Sequence, residues 1–150
     1  MKKSLDKYLN QDIDNPKYLF HGSPKKLKDL EPNYSHDSNN NPNNIANAVF
    51  LFPNFIKATA YAFKDTIKEN SKDLKWNFTI PNDNNIPVMT MENVNIDKNI
   101  IGYVYVIQKE ENMIKDTDSY QYKCEDRITP IDVIEVKYSD YEKYYEVRND

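Results

Sequence analysis

Only one long stretch of this chain repeats its apolar residues at helical spacing. Phe55, Ala58, Ala62 and Ile67 fall on one face of residues 55–70, Tyr61 lies on a neighbouring flank, and Asn54 stands where a helix cap belongs. Around it lie short runs of strand length: Tyr18–His21, the continuous apolar run Ala48–Phe52 stopped by Pro53, Trp76–Ile80, Ile100–Gln108, Tyr120–Cys124 and Ile131–Tyr138. Strands dispersed about a single main helix do not make a βαβ series. The order therefore predicts an α+β fold rather than a doubly wound parallel sheet. A short helix over Ser4–Asn10 with Ser4 as cap, and a turn-and-helix piece over Pro24–Leu30, are expected at the periphery. Residues Asn33–Asn47, polar and rich in asparagine, read as a mobile loop. Residues 82–99 read as irregular with short extended pieces, and the tail from Tyr141 as polar and aromatic.

At 150 residues the chain is expected to form one domain, 1–150, with a core of ordinary size. The net charge of -4 gives no global basic field to draw it to nucleic acid or anionic lipid. Lys25, Lys26 and Lys28 make a local basic stretch that also reads as solvated surface. The single cysteine, Cys124, has no partner for an intramolecular disulfide, and no Cys/His cluster stands ready for zinc, so no metal is expected. The N-terminus carries two lysines without an apolar run behind them, and no apolar stretch is long enough to span a bilayer. A cytoplasmic monomer is the expectation.

The chain has two glycines and two histidines, and one of each stand side by side in His21-Gly22-Ser23, at the end of a predicted strand. An imidazole can donate a hydrogen bond, a glycine lets a ligand approach the backbone, and a serine hydroxyl can reach a sugar. An ordinary turn after a strand uses the same residue types. His36 falls in the asparagine-rich loop with no partner at metal spacing and reads as surface.

Three segments, taken in order, resemble the ADP-ribosyltransferase superfamily, in the branch that holds diphtheria toxin and the poly(ADP-ribose) polymerases. Leu19-Phe20-His21-Gly22-Ser23 is similar to that branch's strand ending in His-Gly-Ser/Thr. Ala48–Phe52 followed by Lys57-Ala58-Thr59-Ala60-Tyr61 is similar to its Gly-Ile-Tyr-Phe strand and the helix with Ser-x-x-Tyr. Gly102–Val106, Tyr120-Gln121-Tyr122 and Thr129–Ile134 are similar to its later strands, including the one that carries Glu-Tyr. The resemblance runs over residues 17–137. It implies an ADP-ribosyltransferase-like fold: two small, mostly antiparallel sheets forming an NAD cleft, one main helix and peripheral helices. It implies NAD as substrate, with His21 and Ser23 on ribose hydroxyls, Gly22 on the carboxamide through its backbone, and Phe50 and Tyr61 on the nicotinamide ring. Tyr61 reads equally well, on its own, as a helix residue packed into the core.

Two positions depart from the family pattern. Phe50 stands where the family has a tyrosine, which keeps an aromatic wall and loses a hydroxyl. Gln121 stands where the family has its catalytic glutamate, so the site lacks a carboxylate facing the positive charge that develops as the nicotinamide–ribose bond breaks. Losing such a group typically costs powers of ten in rate. Glu125, at an even offset from Gln121, is a candidate to replace it if a bulge brings it nearer, and with Asp126 it also reads as a turn residue before Pro130. The resemblance implies a mono-ADP-ribosyltransferase, of effector or toxin type in a bacterial or phage setting, that acts on a macromolecule, a protein acceptor being favoured over nucleic acid, with His21 and Gln121 at the catalytic positions and no membrane partner. The alternative is a module of the same fold that binds NAD, ADP-ribose or a protein without turnover. NAD hydrolysis, or removal of phosphate from RNA, is a third course. The RNA reaction calls for more basic residues than Lys25, Lys26 and Arg127.

Overall fold

The computed structural model describes residues 5–31, 33–35, 46–69, 76–79, 88–91, 97–117 and 119–149. In chain order its elements are α1 (Asp6–Leu9), β1 (Tyr18–Ser23), β2 (Asn33–Ser35), β3 (Ala46–Leu51), α2 (Phe55–Glu69), β4 (Trp76–Thr79) and β5 (Val88–Met91). There follow β6 (Ile101–Gln108), β7 (Ile114–Lys115), β8 (Tyr122–Cys124), β9 (Asp132–Lys137), α3 (Tyr138–Tyr141), a 3-10 turn (Glu142–Tyr144) and β10 (Glu146–Asn149). The class is α+β, as the sequence order predicts.

Two antiparallel sheets dominate. One has the order β1-β6-β9 and the other β2-β3-β8-β7. A third, mixed sheet runs β10-β5-β4, with β10 parallel to β5. The first two touch through one isolated bridge, Phe20 to Phe52, where each amide donates to the other's carbonyl at 2.7 and 2.9 Å. A second bridge, Leu30 to Ile128, closes the connecting loops.

Strand alternation sorts the apolar residues into two cores. Phe20, Val104, Val106 and Val136 point from the first sheet to α2 and the C-terminal tail, and join Phe55, Phe63, Tyr138, Tyr141 and Tyr145 there. Leu19, Tyr105 and Ile107 point the other way and meet Val49, Leu51, Tyr122 and Cys124 of the second sheet. The helix α2 forms because its small and apolar residues recur on one side, and because the Asn54 side chain accepts from the amides of Ile56 and Lys57 at 2.9 and 3.2 Å.

The seating of α2 accounts for both glycines of the chain. A methyl group on Gly22 would stand 2.0 Å from the Ala58 carbonyl oxygen, and one on Gly102 would stand 2.8 Å from the Ala62 side chain. Ala58 and Ala62 are fully buried. Helix and sheet therefore meet backbone to backbone at these two points. The glycine next to His21 answers first to the packing of α2.

Several peripheral expectations change. Residues 24–29 form bends rather than a helix. The reason is long-range: the Tyr105 hydroxyl, buried in the inter-sheet core, donates to the Lys25 carbonyl at 2.8 Å and accepts from the Leu27 amide. Asn33–Ser35 and Ala46–Ala48 pair as a hairpin, so both ends of the predicted loop are strands. Residues 36–45, with His36, lie outside the described residues, as does Ser4; α1 starts at Asp6, after Leu5, without a side-chain cap. The last long strand ends at Lys137, the chain then forms α3, a turn and β10, and Tyr138, Tyr141 and Tyr145 are buried. Among the described residues no helix is long and apolar enough to cross a membrane.

Candidate functional site

The two antiparallel sheets part immediately after the Phe20–Phe52 bridge, and His21 stands at the split. Phe20 spends its amide and carbonyl on β3 rather than on β6. In an antiparallel ladder the backbone groups alternate sides, so those of Gly22 face the same edge as those of Phe20. The next residue in register on β3 is Phe50. Its carbonyl, however, accepts from the His21 ring nitrogen Nδ1 at 2.8 Å. Among the described residues no strand continues the ladder at Gly22. The imidazole thus occupies the place where the ladder would have closed, and the amide and carbonyl of Gly22 line the opening.

That bond also fixes the imidazole. A carbonyl can only accept, so Nδ1 carries the proton and Nε2 holds the lone pair in the neutral ring. Burial lowers the pKa of His21 below the ordinary 6.5, and the bond to Phe50 opposes this in part. The ring is half-buried, with Tyr105 as its cross-strand neighbour at 6.4 Å between ring centres.

The face of β3 turned away from the inter-sheet core supplies the rest. Leu51 pairs with Tyr122 and Phe50 with Lys123, so Phe52 and Gln121 are level, one residue further along. Lys115 of β7 pairs with Tyr122 of β8, and the Asp116 amide donates to the Gln121 carbonyl at 2.8 Å. One lateral row therefore carries Phe52, Gln121 and Asp116, and the next carries Phe50 and Lys123. Phe52 stacks on Tyr61 of α2 with ring centres 4.8 Å apart and planes 8° from parallel, and the Lys57 ammonium lies 5.0 Å from the Phe52 ring centre. Tyr61 thus spends one ring face on Phe52; Lys64 lies 5.7 Å from its ring centre.

Gln121 is buried, and its Nε2 donates to Asp116 Oδ2 at 2.9 Å. Ser119 Oγ approaches the same oxygen at 3.4 Å, and the Lys123 ammonium pairs with Oδ1 at 3.3 Å. A carboxylate buried this far needs such donors, and here three converge on it. The sequence reading passed over Asp116. Its one signal was the close spacing of an acid, a hydroxyl and an amide at 116, 119 and 121, which any polar turn can show.

The remaining residues take plainer places. Ser23 is buried, and its hydroxyl accepts from the Lys25 amide at 3.2 Å, an ordinary turn contact. Glu125 is exposed and follows the last residue of β8; the ladder from Tyr122 to Cys124 runs without a bulge, so Glu125 stays at the far end of the strand from Gln121. Cys124 is buried on the inter-sheet face, and burial raises its thiol pKa, which keeps it protonated and unreactive. Arg127 pairs with Asp29 and Glu31 and is spoken for. A groove of about 210 Å³ between Ile107, Met113, Arg127 and Ile131 lies at the C-terminal end of β6, beyond the Gly22 partner Val104. Among the described residues no group of three or more His, Cys, Asp or Glu side chains is placed to hold a metal.

The split thus sets an uncovered peptide edge and an oriented imidazole on β1 beside the end of β3, and the second sheet carries the aromatic wall and a buried amide–carboxylate pair. Comparison of the chain with family models, with curated proteins and with solved structures gives no match.

Proposed function

We propose that this protein has an ADP-ribosyltransferase-like fold, binds NAD at the split between β1 and β3, and transfers ADP-ribose to a macromolecular acceptor with release of nicotinamide. The observation that carries this reading is the interrupted ladder: His21 takes the Phe50 carbonyl, and Gly22 is left with an amide and a carbonyl side by side on an edge no described strand covers. A planar carboxamide matches that pair, accepting from the amide and donating to the carbonyl. In this reading Nε2 of His21 accepts from a ribose hydroxyl, Phe50 supplies the aromatic wall, Tyr61 borders the ring site beside Phe52, and Gln121 stands where the breaking bond is.

A second reading is favoured by one observation. Gln121 is neutral, and the carboxylate beside it is paired with Lys123. A site so balanced suits a module that binds NAD or ADP-ribose, or a protein partner, without turnover.

The two part in one assay. Purified protein is incubated with NAD, nicotinamide release is followed by chromatography, and NAD binding by calorimetry, with His21→Ala beside the parent. Release that the substitution abolishes is the expected outcome. Binding with no release selects the binding module. Neither binding nor release removes NAD from the account and leaves only a module for ADP-ribose or a protein partner.

A further inference from the structure

Gln121 leaves the split without a carboxylate of its own, yet a carboxylate lies one hydrogen bond away. Asp116 is 7% exposed, at the turn that joins β7 to β8. It shares a row and a sheet face with Gln121 and Phe52, which sets it beside the aromatic wall rather than behind it. Its Oδ2 receives the Gln121 amide at 2.9 Å, and the Ser119 hydroxyl in turn receives the Gln121 backbone amide at 3.2 Å. The turn is closed by the Asp116 amide on the Gln121 carbonyl at 2.8 Å. The carboxylate is thus held from both sides of the hairpin.

We infer that Asp116 supplies the negative charge that Gln121 lacks, acting across the Gln121 amide, with Ser119 as its positioning group and Lys123 as its counter-ion. This rests on the NAD-cleaving reading above. The side-chain amide of Gln121 is turned with its positive end on Asp116, so the carboxylate polarises its carbonyl oxygen. In the reaction the bond from the ribose C1′ carbon to the nicotinamide nitrogen breaks, and its electron pair leaves with nicotinamide. Positive charge grows on the ribose. The acceptor's nucleophilic atom then bonds to C1′ and gives its proton to solvent. A fixed negative group in a water-poor site stabilises that charge without having to reorganise. Lys123 offsets part of the field from Oδ1, and its side chain is 23% exposed against 4% for Asp116, so water screens the ammonium more than the carboxylate.

The test relocates the charge. Asp116→Asn keeps size and polarity; it is expected to lower kcat for nicotinamide release about a hundredfold, while NAD binding by calorimetry stays within about twofold. Adding Gln121→Glu to that variant returns a carboxylate to the neighbouring position and is expected to recover most of the rate. A merely structural Asp116 gives neither the split between kcat and binding nor the rescue. Unchanged kcat in Asp116→Asn overturns the inference, and so does a folded double variant with no recovery. Should Asp116→Asn fail to fold, Lys123→Met removes the counter-ion and leaves the carboxylate. Its kcat is expected to rise severalfold, and an unchanged or lower kcat overturns the inference. Parent protein that releases nicotinamide, with kcat unchanged in Asp116→Asn, overturns this inference alone, whereas parent protein that binds NAD but releases no nicotinamide overturns it together with the transferase reading and leaves the binding module. Parent protein that does not bind NAD overturns it together with the reading on which it rests.

Discussion

Replacing Gly22 with alanine would put a methyl group 2.0 Å from the carbonyl oxygen of Ala58 and 2.7 Å from the backbone nitrogen of Ala62. Ordinary contact begins at 3.4 Å, so the nearer atom lies 1.4 Å too close. Both obstacles are backbone, and no rotamer change relieves them. The helix would have to lift from β1, but its far side is held: Phe63 meets Tyr138 at 5.6 Å between ring centres, and the Thr59 hydroxyl bonds the Tyr145 hydroxyl. Overpacking a rigid interior costs about 1–3 kcal/mol, occasionally more, and a clash this deep belongs at or above the top of that range. Gly102→Ala is milder, since its nearest obstacle at 2.8 Å is the Ala62 methyl. It should cost about 1–2 kcal/mol. Urea unfolding followed by far-ultraviolet circular dichroism gives both numbers, read from midpoints at a common slope. A Gly22→Ala loss below about 1 kcal/mol, or smaller than that of Gly102→Ala, would refute the argument that helix and strand meet backbone to backbone.

Three further outcomes are expected. Asn54→Ala removes the two cap bonds of α2 and should cost about 1 kcal/mol in the same unfolding experiment, with Asn54→Gly costing less. Tyr145→Phe removes the hydroxyl that bonds Thr59, which keeps its bond to the Ile56 carbonyl at 2.6 Å; a loss of about 1 kcal/mol is expected, and no loss would mean the tail does not dock on α2. His21 has a pKa lowered on folding, so the unfolded chain takes up its proton first as pH falls; its share of stability is present above pH 6.5 and is lost below it. Thermal midpoints from pH 7.5 down to 5.5 should therefore fall less in His21→Gln than in the parent, and parallel curves would contradict the burial of the ring.

Much of the frame was legible because its signals are local. Asn54, the spacing of Phe55 to Ile67, and the apolar runs of β3, β6 and β9 set their elements to within about two residues of the observed bounds. What escaped depends on partners far along the chain. The bends at 24–29 are held by Tyr105, some eighty residues away, and no local pattern tells of it. Tyr141 and Tyr145 read as part of a polar, aromatic tail because their burial depends on α2 rather than on their neighbours. Asp116 looked like any surface acid, since the strands that bury it are two and three residues long and give no periodicity to read. Gly22 stands out in the sequence by its rarity, which suits a ligand-side explanation; its place under the helix supplies a second one.

Leu19 and Phe20 are neighbours in sequence and belong to different cores, as do Tyr105 and Val106 on the strand beside them. β1 and β6 are therefore the common wall of both. Neither layer can come away without stripping one side of that wall, so urea should melt the two together in a single transition, with no half-folded species that keeps one core. The amides slowest to exchange with deuterium should be those of the wall itself, at Leu19, Phe20, Tyr105 and Val106, opening only as often as the whole chain unfolds.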